Sequence, residues 1–137
     1  MVMATDDVTG GELAESLLRE VDNQGMRAAT ALLGAYRDGL WLRRFLDDPE
    51  LEAVAGSPLI DRSGSHPSVG WNVVGRLMLT LGWSHRALGS ETAVLEFAAS
   101  LVGSGSVQLQ QVIQAVDGDE FRLLVRALEE AAYSEKS

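Results

Sequence analysis

The sequence predicts an all-α fold: a compact bundle of about six to seven helices around a central antiparallel hairpin formed by residues 69–82 and 91–102. Three observations carry that prediction. Apolar residues recur at helical spacing in most segments, and no stretch alternates apolar and polar residues as a half-buried strand would. Helix-start signals recur as well, with Asp48 standing before Pro49 and Asp117 three residues before Glu120. In two segments the polar residues sit only at every fourth position, Asn72, Arg76 and Thr80 in one and Thr92, Glu96 and Ser100 in the other. Each segment is then a nearly apolar cylinder with one narrow polar stripe, suited to the centre of a bundle.

Taken in order, a first helix opens near Thr9, runs through Leu13, Leu17 and Val21, and ends at Asn23-Gln24-Gly25. A second, long helix is expected from Met26 to Leu46. Pro49 to Ala55 forms a third, short one, capped by Asp48 and stopped by Gly56. The stretch GSPLIDRSGSHPS, residues 56–68, has two prolines, two glycines and four serines and reads as an irregular loop. Helix four spans Val69 to Leu81, with GWSHRALG continuing it or turning, and helix five starts at Ser90 or Glu91 and stops at Gly103. A tight GSGS turn leads to helix six, Val107 to Val116, expected to bury Leu109, Val112, Ile113 and Val116. Helix seven begins with the Asp117–Glu120 capping pair and carries apolar residues at Phe121, Leu124, Val125 and Leu128. If helices four and five pair antiparallel with their polar stripes on one side, Arg76 faces Glu96.

The 137 residues fit one domain, 1–137, with residues 1–8 and 134–137 expected to be disordered tails. There is no cysteine, which excludes disulfides, thiolate metal sites and a cysteine nucleophile and suits a reducing compartment. Aspartates near the start oppose a signal peptide, and the apolar run from Val69 to Leu81 is too short to span a bilayer, so the expected location is the cytoplasm. The net charge of -9 disfavours nucleic acid and anionic membranes as partners. That charge is concentrated at the ends: residues 1–24 carry six acids against Arg19, and residues 117–137 carry six against Arg122, Arg126 and Lys136.

Few residues are candidates for chemistry. His66 and His85 are the only histidines, and a helix of about twelve residues between them would separate them by roughly 18 Å, too far for one metal. No metal, cofactor or catalytic residue is therefore assigned. Ser65 beside His66 is adjacency, not a triad, and Gly103-Ser104-Gly105 lacks the setting of a nucleophile elbow. Asp117, Gly118, Asp119 and Glu120 are too short a run for a calcium loop and read as a helix cap. An alternative reading, a small-molecule site or enzyme within the bundle, would use Arg76 to hold an anion with His66 or His85 arriving from a loop. A helix-turn-helix reader of DNA is weaker still, because no helix offers a basic recognition face.

Within YRDGLWLRRFL, residues 36–46, a continuous helix would place Arg37, Trp41 and Arg44 within about 60° of one another. Trp41 then lies on the polar stripe. It is either covered by an acidic terminal helix or left partly exposed as an interface anchor, since tryptophan and arginine are enriched at binding hot spots. The second reading is the expectation taken forward. It makes the chain an acidic interaction module that binds another protein or itself through Arg37, Trp41 and Arg44, as an adaptor, regulator, accessory subunit or immunity-type inhibitor.

Overall fold

The structure, a computed structural model, describes residues 8–81, 90–103, 107 and 109–133. Helix α1, Gly10–Ser16, is closed at its start by a reciprocal capping pair: Thr9 Oγ1 accepts from the Glu12 N–H at 3.1 Å and Glu12 Oε1 accepts from the Thr9 N–H at 2.9 Å. It ends well short of Val21. The chain turns between Leu17 and Asn23, where the Arg27 guanidinium donates to the carbonyls of Leu18 and Val21 at 3.2 and 2.8 Å. Asn23 opens α2, Gln24–Ala35, instead of closing the first helix; its Oδ1 accepts from the Met26 N–H at 2.9 Å.

The long helix expected from Met26 to Leu46 is broken. After α2 the chain makes a single 3-10 turn, Tyr36–Asp38, and restarts as α3, Leu40–Asp47. Arg37, Asp38 and Gly39 have φ of 48°, 56° and 80°, three successive residues in the left-handed region. Glycine and aspartate tolerate that region, but arginine there is strained. Asp38 is held by the Gly10 N–H, which donates to its Oδ1 at 2.8 Å, and by Arg43, whose Nε donates to its carbonyl at 2.8 Å and whose Nη2 pairs with Oδ2 at 3.1 Å. Arg43 also reaches the Val8 carbonyl at 2.7 Å. The break thus receives the start of α1. Gly10 and Gly34 meet there without side chains: a Cβ on Gly10 would strike the Gly34 carbonyl, and one on Gly34 would lie 2.6 Å from the Ala14 Cβ.

Helix α4, Pro49–Ala55, forms as its signals predict, with Asp48 Oδ1 accepting from the Glu50 and Leu51 N–H groups at 3.0 and 3.3 Å and Gly56 ending it at a φ of 80°. The irregular loop that follows contains a small antiparallel ladder, β1 Ile60–Asp61 against β2 Ser68–Val69, which sequence reading missed. Two residues per strand are too few to show alternation. Four further helices complete the chain: α5 Trp71–Leu81, α6 Ser90–Leu101, α7 Leu109–Ala115 and α8 Gly118–Tyr133. The reciprocal bonds expected between Asp117 and Glu120 open α8, at 2.8 and 2.9 Å. The eight α-helices among the described residues make the fold mostly helical, and none of them is long and apolar enough to cross a membrane.

Among the described residues the most extensively packed helix is α2, and a central hairpin of α5 and α6 is not shown. Helix α2 packs extensively on α1, α6 and α8, whereas α6 touches α5 more lightly. Composition explains the exchange, because Ala28, Ala29, Thr30 and Gly34 are all buried and their small side chains let neighbours approach from several sides. Arg76 is exposed, and the ion pairs among the described residues do not include one between it and Glu96. Thr92, read as part of an outward stripe, is buried. The continuation of helix four through GWSHRALG and the GSGS turn fall on residues 82–89 and 104–106, outside the described residues.

Candidate functional site

Trp41 is 1% exposed, so it is not the partly exposed anchor that the sequence suggested. The broken helix is the cause. The stripe was drawn on one helical phase running from Met26 to Leu46, and the left-handed residues at 37–39 reset that phase, turning Trp41, Leu42 and Phe45 of α3 inward together. The indole Nε1 donates to the Glu91 carbonyl in the first turn of α6 at 2.8 Å. Phe45 lies 6.3 Å from the ring, tilted by 40°, and the Arg44 guanidinium covers its outer face at 5.0 Å. Arg44 is held in place by Asp48, at 3.0 Å, one helical turn further on. That pair, with the α4 N–H groups, holds the Asp48 carboxyl below the ordinary aspartate range.

Arg37 extends to a second acidic cluster. Its Nη1 pairs with Glu91 Oε2 at 2.9 Å, its Nη2 approaches Glu120 Oε2 at 3.7 Å, and its guanidinium lies 5.3 Å from the centroid of Tyr36. The Tyr36 hydroxyl is 2.8 Å from Ser90 Oγ, which donates to Glu120 Oε2 at 3.1 Å. Burial raises the phenol above its usual value, while the Ser90 bond and Arg37 oppose the rise. This network ties the break after α2 to the first turns of α6 and α8. It is an internal clasp, in which Tyr36, Arg37, Ser90, Glu91 and Glu120 each have a partner in their own chain.

Of the three residues nominated for a ligand site, two are described. His66 lies in the loop before β2, where its backbone N–H donates to Glu20 Oε1 at 3.1 Å, and Arg76 is exposed on α5. His85 falls outside the described residues. Among the described residues no group of three or more histidine, aspartate and glutamate side chains is arranged to hold a metal ion.

The feature that sequence reading misassigned is the outer face of the last two helices. Leu109 and Ile113, expected to be buried on α7, and Phe121, Val125 and Leu128, apolar positions of α8, are between 37% and 61% exposed. Among the described side chains of these helices, Val112 on α7 and Leu124 and Ala127 on α8 are buried. A signal was present in the sequence. From Leu123 round to Val125 the apolar residues of α8 cover an arc of about 200°, twice the stripe that a helix packed on one side requires. A helix so wide in its apolar face has more to bury than one neighbour covers.

The described residues form a mostly helical bundle with large apolar side chains exposed on its last two helices. Compared with known proteins, the chain matches no family model, no curated protein and no solved structure.

Proposed function

We propose that the chain is an acidic protein-interaction module, acting as an adaptor, regulator, accessory subunit or immunity-type inhibitor, and that its binding face is the outer side of α7 and α8. One observation carries this reading: five large apolar side chains stand exposed on two consecutive helices. Single exposed apolar residues are ordinary on a protein surface, but several concentrated on adjoining elements mark a place where another molecule docks. The charges around it suit discrimination more than affinity. Asp117, Asp119 and Glu129 border the apolar side chains together with Arg122 and Arg126, so a partner must match both signs. Arg37 and Arg44 remain at the surface with half-exposed side chains and add a separate charged patch, while Trp41 supports that patch from beneath.

The test is retention of protein from the native source by the full chain and by a variant carrying Leu109→Glu and Leu128→Glu. Both positions are exposed, so the variant is expected to fold like the parent. A protein held by the parent and lost from the variant is the expected result, and a second copy of the chain counts as such a protein. Equal retention by both removes the face from the argument.

A further inference from the structure

We infer that the occupant of the outer face of α8 is the same helix of a second copy, docked antiparallel. The inference rests on the interaction-module reading and names its partner. Phe121, Val125, Leu128 and Ala132 are all exposed, and they are spaced by four, three and four residues. That spacing keeps them within about 60° of arc, the seam along which two helices pack side by side.

Such a seam can pair with itself in two directions, and its side chains favour one. Parallel pairing sets each residue against its own copy, with Phe121 on Phe121 at one end and Ala132 on Ala132 at the other, and its flanks bring Leu124 beside Glu129. Antiparallel pairing about a two-fold axis between Arg126 and Ala127 sets Phe121 against Ala132 and Val125 against Leu128, each twice. Every layer then combines a larger with a smaller side chain, which is how facing positions fill space evenly.

Charge selects the same register independently. Arg122 and Glu129 lie within about 20° of each other on one flank of the seam, two turns apart. In the antiparallel register the flanking positions that meet are Arg122 of one copy and Glu129 of the other, and the two-fold axis makes that contact twice. Among the described residues Arg122 is engaged by Asp119, through a pair whose side chains are 78% and 92% exposed. A pair so exposed is cheaply exchanged for another. One helix of 16 residues, about 24 Å long, offers less area than the 1,200 Å² or so at which stable interfaces begin, so the dimer is reversible.

Light scattering or sedimentation of the purified full chain, from low micromolar to near-millimolar concentration, tests this. The expected result is a concentration-dependent monomer–dimer equilibrium. Val125→Glu should weaken it by at least about tenfold. Arg122→Glu and Glu129→Arg should each weaken it, and the variant carrying both should recover dimerisation to within about twofold of the parent, because each pair is then restored with its signs reversed. Arg122 and Glu129 are exposed, so these variants remain informative even if Val125→Glu misfolds. A chain that stays monomeric throughout overturns the second-copy inference, whereas retention of a different protein through the same face would leave the interaction reading intact. A dimer indifferent to Val125→Glu, or a double reversal that fails to recover, overturns the antiparallel seam.

Discussion

Trp41 shows how one side chain can serve several contacts at once, since its ring lies among core residues, its Nε1 ties α3 to α6 and its outer face carries Arg44. Trp41→Ala should therefore lower folding stability by about 3 to 5 kcal/mol, measured by denaturant unfolding. Trp41→Phe keeps an aromatic ring but leaves the Glu91 carbonyl without its donor, and should cost less, about 1 to 3 kcal/mol. Asp48 carries a pH dependence. Its carboxyl is held below the ordinary aspartate range, so the contribution of its ion pair and cap is intact above the unfolded value and disappears as pH falls through the lower, folded value. Carboxyl titration followed by NMR should find Asp48 among the most acidic aspartates. Asp48→Asn keeps an acceptor for the α4 N–H groups but removes the charge, so its stability should fall less steeply on acidification than the parent's.

At the scale of elements, the junction of α1 with the break after α2 depends on two glycines. Gly34→Ala puts a Cβ 2.6 Å from that of Ala14 and 2.7 Å from the Gly10 carbonyl, both on packed elements with little room to yield. A loss of about 1 to 3 kcal/mol is expected, larger than the roughly 1 kcal/mol that alanine would add through helix propensity. Gly56→Ala is the comparison: nothing lies within 4 Å of its Cβ, so its cost should come from the φ of 80° alone. The ends of elements were the legible part of this fold. Asp48 and Asp117 each cap the helix that their spacing to Pro49 and Glu120 announces, and Thr9 opens α1 where it was expected, because capping is a local interaction between residues three or fewer apart. Interruptions were less legible. Asp38-Gly39 is a turn dipeptide, but the apolar periodicity on both sides spans it, and the bonds that hold the break come from Gly10 and Arg43. Which apolar residues of α8 are covered was illegible for a related reason: periodicity says which positions are apolar, while the neighbour that covers them is decided elsewhere in the chain.

At the scale of the whole molecule, one hydrophobic cluster takes in residues from every α-helix, Leu13 on α1 and Ala127 on α8 included. A core so shared should unfold as a unit. Tryptophan fluorescence, which includes the buried Trp41 and Trp71, and far-ultraviolet circular dichroism are expected to give coincident denaturation curves. Separate midpoints would show that the helices around α2 can come apart in stages. This was the least legible scale in the sequence. The apolar cylinders of α5 and α6 announced a centre, whereas α2, with its alanines and glycines, is less apolar yet occupies it, because closeness of approach and not hydrophobicity decides which helix others can surround.

The position of α2 has a further consequence, which concerns time. Its neighbours α1 and α8 are the first and last helices of the described chain, so during synthesis α2 leaves the ribosome with one side ready to be covered and the other waiting for a helix about eighty residues away. Until α8 emerges, the side of α2 that it covers remains open to solvent or to whatever binds nascent chains. A ribosome stalled before Gly118 would hold a chain with most of its helical sequence already made and its central helix still incompletely covered.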